Sequence, residues 1–100
     1  MKVKAKMKKD MVSVKLLMQH PMETGLRKDK ETGEAIPANF IQELTCVHND
    51  KTVFIANFGR AVSKNPYVAF LFSGGQKGDS ITLSWFDNNG ESETTEAVIK

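Results

Sequence analysis

The sequence predicts an all-β protein, an immunoglobulin-like β-sandwich of about seven strands, and three observations carry that expectation. Short runs in which apolar and polar residues alternate recur along the chain, separated by Gly, Pro, Asn and Asp turn signals. No window sustains the apolar period of an amphipathic helix, and proline or glycine interrupts the longer gaps. One hundred residues, 40% of them hydrophobic, suit one core. Residues 1–100 therefore read as a single domain, with no internal repeat, linker or low-complexity tract.

The first strand is expected over residues 2–8, where Lys2, Lys4, Lys6 and Lys8 alternate with Val3, Ala5 and Met7. A lysine face on such a strand fits a sheet edge that resists edge-to-edge association. The second covers residues 11–19, with Val12, Val14, Leu16 and Met18 on one face. The third spans about residues 40–48 and turns at Asn49-Asp50-Lys51 into the fourth, residues 52–58, as a hairpin. Strands over residues 67–72, 80–86 and 91–99 follow. They are divided by Gly74-Gly75-Gln76-Lys77-Gly78-Asp79 and by Asp87-Asn88-Asn89-Gly90. The core should take Val12, Val14, Leu16, Leu44, Cys46, Phe54, Phe58, Val68, Phe70, Phe72, Ile81, Leu83 and Trp85. Met11, Leu17, Ile41, Val47, Val53 and Ile55 fall on the opposite faces. That is more apolar surface than a small domain should show to water, and it points to a permanent interface.

Composition narrows the function. The formal net charge is +2, and although the N-terminal lysines could meet phosphates, no interleaved aromatics or nucleic-acid motif accompany them. No stretch approaches the roughly 20 apolar residues that span a bilayer. The lysine-rich start leads into no apolar region of a signal peptide. Neither a nucleic acid nor a membrane is expected as a partner.

One segment stands out where the second strand must stop. In His20-Pro21-Met22-Glu23-Thr24-Gly25, proline removes a donor and Gly25 permits a positive φ, and five charged residues follow from Arg27 to Glu31. It reads as a surface recognition loop: Met22 supplies an adaptable apolar contact, while Glu23, Arg27, Lys28 and Asp29 supply directional charge. The recognition surface is assigned to His20, Pro21, Met22, Glu23, Thr24, Gly25, Arg27 and Asp29, and Met22→Asp is expected to weaken docking and leave the fold intact. Alternatively, His20 and Glu23 satisfy backbone groups where the strand turns.

The run from His20 to Asp29 resembles the signature loop of the SoxZ family, the small subunit of the SoxYZ sulphur carrier complex of thiosulfate oxidation. Ile36-Pro37-Ala38-Asn39-Phe40-Ile41, the stretch from Phe40 to Cys46, Asn65-Pro66-Tyr67-Val68-Ala69-Phe70 and Trp85-Phe86-Asp87-Asn88-Asn89-Gly90 are similar to the family as well. The resemblance covers roughly residues 3–99. It implies a non-catalytic subunit that binds and stabilises a SoxY-like sandwich, whose glycine-flanked cysteine arm carries the sulphur intermediates. It also implies docking surface for the Sox enzymes and a periplasmic setting, reached by export with the partner. No glycine here flanks a cysteine near residue 100, so the substrate-bearing arm belongs to the partner.

Other chemistry is thinly supplied, and no cofactor, metal or catalytic residue is assigned. Cys46 is the single cysteine; it shares a strand face with Leu44 and reads as a small buried hydrophobe. His48 lies two residues on, at about 7 Å along the strand. A thiol enzyme using Cys46 is one rival, and a free-standing sandwich binding a metal or small ligand through His20, Glu23 and His48 is the other. Neither set has the spacing of a known ligand group or triad. The glycines from Gly74 to Gly78 lack the pattern of a phosphate-binding loop.

Overall fold

The computed structural model describes residues 1–59 and 61–100. Its seven strands are β1 (Lys2–Lys8), β2 (Met11–Leu17), β3 (Ile41–His48), β4 (Lys51–Asn57), β5 (Tyr67–Ser73), β6 (Ser80–Asp87) and β7 (Ser92–Val98). They form two antiparallel sheets, ordered β1-β2-β5 and β4-β3-β6-β7. This is the architecture of an immunoglobulin-like sandwich, and no helix occurs among the described residues.

The alternation read from the sequence places the core. Val12, Val14, Leu16, Leu44, Cys46, Phe72, Ile81, Leu83 and Trp85 are buried, and Met18, Met22 and Ile99 join them. Phe54, Phe58, Val68 and Phe70 are only partly buried and pack on the margin of this cluster. Phe54 and Phe70 stack across the two sheets with ring centroids 3.9 Å apart. Gly75 is required by packing, because a Cβ there would lie 2.5 Å from Val12 Cγ2.

One face assignment is corrected. Ile41 is completely buried, although strict alternation from Leu44 sends it outward. The pairing of β3 with β6 shifts between Ile41 and Glu43. The extra residue of such a bulge re-aims the strand, so Ile41 returns to the core face. Of the remaining expected outer residues, Leu17 and Ile55 are exposed, whereas Met11, Val47 and Val53 are half-buried.

The sandwich is sealed on one side. The N–H of Met7 donates to the carbonyl of Lys100 at 2.8 Å, and the N–H of Lys100 donates to the carbonyl of Ala5 at 3.0 Å. The terminal amine of Met1 pairs with Glu93 of β7 at 3.1 Å. The edge of β1 is thus covered by the chain's own last residues, and its four lysines point to solvent.

Candidate functional site

Between β2 and β3 the chain leaves the sandwich and returns as an irregular two-stranded finger. Glu23 and Asn39 exchange backbone hydrogen bonds at 2.6 and 3.0 Å, the N–H of Ile36 donates to the carbonyl of Arg27 at 2.8 Å, and the N–H of Asp29 donates to Glu34 at 2.8 Å. The turn at the tip is closed by Gly33 N–H on the Asp29 carbonyl and by Glu31 N–H on the Asp29 carboxylate, both at 2.8 Å. The molecule extends 52 Å along its long axis, about twice the ~26 Å of an eight-residue strand. Gly25 lets the two arms approach: its φ is +86°, and a Cβ would sit 3.1 Å from the Ala38 Cβ.

The base of the finger is built from the very segments that carry the family resemblance. His20 is buried, and its Nε2 lies 2.9 Å from Asp87 Oδ2 at the end of β6. Its Nδ1 accepts the N–H of Met22 at 3.1 Å. A nitrogen that accepts carries no proton, so the ring proton sits on Nε2 and is donated to Asp87. The Trp85 ring meets the imidazole edge-on at a centroid distance of 5.2 Å. Asp87 Oδ1 accepts the N–H groups of Asn89 and Glu91, both at 2.9 Å. Burial alone would raise the Asp87 carboxyl, but the hydrogen bonds from His20, Glu91 and Asn89 outweigh it and hold it below the usual carboxylate range.

Two further ties complete the base. The N–H of His20 donates to Asn65 Oδ1 at 3.0 Å, and Asn65 returns its own N–H to the His20 carbonyl at 3.0 Å. Asn88 spans to the returning arm: its Oδ1 accepts the N–H of Phe40 at 2.7 Å, and its Nδ2 donates to the carbonyl of Ala38 at 2.9 Å. Met22 adopts a left-handed φ of 50°, an uncommon state for a residue with a Cβ. It is held by burial of its side chain and by the Ile41 N–H on its Sδ at 3.3 Å.

These contacts change the roles read from the sequence. His20 and Met22, expected as exposed recognition residues, are 5% and 6% exposed and serve as the internal anchor of the finger. The expectation that Met22→Asp spares the fold falls with this, because the substitution would place a carboxylate in the core. Pro21, Arg27 and Asp29 are exposed, and Glu23, Thr24 and Gly25 are half-exposed. Glu23 and Arg27 form a two-pronged ion pair. The guanidinium's hydrogen bond holds the Glu23 carboxyl below its ordinary range. Leu26, which sequence reasoning passed over, is 83% exposed between them. Its signal was a lone Leu amid turn and charged residues. Pro21, Glu23 and Arg27 line one wall of a shallow cleft, and Ser63 and Lys64 line the other.

The rival ligand set is pulled apart. His48 Nε2 contacts Asp79 Oδ2 at 2.8 Å before the start of β6, whereas His20 binds Asp87 at its end. Eight residues of extended chain separate the two aspartates, about 26 Å. No cluster of three potential metal ligands occurs among the described residues. Asp79 is held below the ordinary carboxylate range by the hydrogen bonds of His48 and of the Gln76 N–H. Cys46 is fully buried, and burial pushes its thiol up to about 11. A thiol so placed is neither exposed nor ionised enough to act as a nucleophile.

No curated protein matches the chain. The family model for sulphur oxidation protein SoxZ matches residues 1–98, which include every strand, the finger and the His20–Asp87 anchor. The chain belongs to the SoxZ family and to the proteins of sulphur oxidation.

Proposed function

We propose that this chain is the non-catalytic subunit of a sulphur carrier complex, binding and stabilising a SoxY-like partner whose cysteine arm holds the sulphur intermediates. The family match over residues 1–98 carries the reading. The internal chemistry supports it. The chain's one thiol is sealed in the core, which agrees with a sulphur-bearing cysteine supplied by another subunit. Its two histidines are engaged with aspartates, His20 with Asp87 inside the fold and His48 with Asp79 at its margin, and through these pairs they brace local backbone. The exposed part of the finger, Pro21, Glu23, Thr24, Gly25, Arg27 and Asp29 with Leu26, offers the docking surface for the Sox enzymes. Its mixed charges set orientation and encounter rate more than affinity. The working compartment in this reading is the periplasm, reached together with the partner.

The test is co-expression of the tagged chain with a SoxY-type subunit, followed by purification and intact mass measurement. A stoichiometric heterodimer whose second chain ends in a glycine-flanked cysteine is expected. A stable monomer that ignores the SoxY-type subunit over micromolar concentrations overturns the reading.

A further inference from the structure

Each sheet of the sandwich has two edges, and three of the four resulting edge strands carry a device against unwanted pairing. β1 has Lys2, Lys4, Lys6 and Lys8, and its backbone is occupied by Lys100. β4 starts at Lys51 and is broken by a bulge, since Cys46 pairs with Phe54 but Val47 pairs with Thr52, leaving Val53 over. β7 carries Glu93 and Glu96. β5 has none of these. Tyr-Val-Ala-Phe-Leu-Phe-Ser contains no charge and no proline, and its register with β2 runs unbroken from Met11↔Ser73 to Leu17↔Tyr67. Tyr67 is 62% exposed and Leu71 is 55% exposed.

The direction of its free hydrogen-bonding groups follows from the register. The Met18 N–H donates to the Pro66 carbonyl, so alternation along an antiparallel pair turns the N–H and C=O groups of Val68, Phe70 and Phe72 toward β2. Those of Tyr67, Ala69 and Leu71 turn to the open edge, where no strand among the described residues pairs with them. An unblunted edge of this kind is a template for an added strand.

The surrounding charge selects the strand. The outer face of the sheet presents Lys2, Lys4, Lys6 and Lys8 from β1 and Lys15 from β2, and not one carboxylate among its strand residues. Cross-strand register sets Lys2, Leu17 and Tyr67 in one row and Lys4, Lys15 and Ala69 in the next. A second copy of this chain pairing through β5 would join two such lysine faces into one positive sheet. An acidic partner is matched.

We infer that β5 is the seat of the partner subunit, receiving along its open edge an extended strand that is apolar beside Tyr67 and Leu71 and acidic beside the lysine face. The identity of that partner rests on the carrier-subunit reading; the location and chemistry of the seat rest on β5 itself.

Amide hydrogen exchange on the wild-type chain, alone and with a co-expressed SoxY-type subunit, reads the seat directly. The amides of Ala69 and Leu71 should exchange fast in the free chain and gain at least about tenfold protection in the complex, while Val68 and Phe70 are protected in both. Two variants add a binding readout. Leu71→Pro removes an outward N–H and spares the β2 ladder; Lys15→Glu reverses one charge on the face. Each should weaken the complex by about tenfold or more, and Lys15→Glu should also flatten its salt dependence. A complex that forms with Ala69 and Leu71 still unprotected overturns the seat and leaves the carrier reading standing. No complex at all overturns both. Protection in the isolated chain that rises with concentration, with dimer mass in light scattering, overturns the choice of partner in favour of a second copy.

Discussion

Replacing Asp87 by Asn tests the anchor with almost no change of shape. In the native site, Asp87 accepts three N–H donors, from His20 Nε2, Asn89 and Glu91. An Asn can keep its carbonyl oxygen toward the two backbone donors, but its amide NH₂ then meets the N–H of His20. Moving the ring proton to Nδ1 relieves that contact only by opposing the Met22 N–H, which is 3.1 Å away. One buried donor is left unmet in either arrangement. Loss of a charge-assisted hydrogen bond and exposure of an unmet donor overlap, and together they should remove about 2–4 kcal/mol. For a domain of this size that lowers Tm by roughly 10–25 °C. Urea unfolding followed by Trp85 fluorescence, with its ring against His20, measures it. The pH dependence supplies the sign. The Asp87 carboxyl lies below its unfolded value of about 3.9, so its contribution is full above that pH and is lost as pH falls through the folded value. The gap between wild type and Asp87→Asn should therefore close below about pH 4. A Tm within about 4 °C of wild type at pH 7, or a gap that does not change with acid, would refute the network.

Three other expectations follow from the same structure. Met22→Ala should cost about 2–4 kcal/mol in urea unfolding, because it opens a core position and strips the Ile41 N–H of its acceptor; a change under about 0.5 kcal/mol would return Met22 to the surface. Gly75→Ala should cost about 1–3 kcal/mol, since the new Cβ falls on Val12, Ile99 and Phe72 together, and calorimetry of the purified variant checks it. Cys46 should resist iodoacetamide at pH 8 in the folded protein and react fully in urea; rapid native labelling, read by mass, would mean that the core opens at β3.

Local pattern carried the strands and most of their faces, since Val12, Val14, Leu16, Ile81, Leu83 and Trp85 alternate as the pleat requires. Ile41 escaped because a bulge is a property of pairing, and nothing in residues 40–48 alone marks it. In β5 the alternation of Val68, Phe70 and Phe72 with Tyr67, Ala69 and Leu71 marks the inward half correctly, whereas the strand's place at the edge of its sheet follows from strand order, which no local pattern carries. Residues 20–29 read as a loop in the sequence, but the depth at which the base of that loop is set is not legible there. His20 and Asp87 are 67 residues apart, and Met22 is buried only because Ile41 and the end of β6 come to meet it. The segments that resemble the family are spread along the sequence, and the meeting of His20, Ala38, Phe40, Asn65, Asp87 and Asn88 at one end of the sandwich is a tertiary fact.

That convergence divides labour along the finger in a way that bears on its history. The residues that fix its exit angle, His20, Asn65, Asp87 and Asn88, are bound into the sandwich, while the residues from Leu26 to Ala35 lie in solvent. Substitution at the base is filtered by folding itself; substitution at the tip is almost free of that filter. In the docking role proposed for the finger, its tip can therefore drift, lengthen or be retuned while the orientation in which it is presented stays constant, so that specificity and foldability would rest on separate sets of residues.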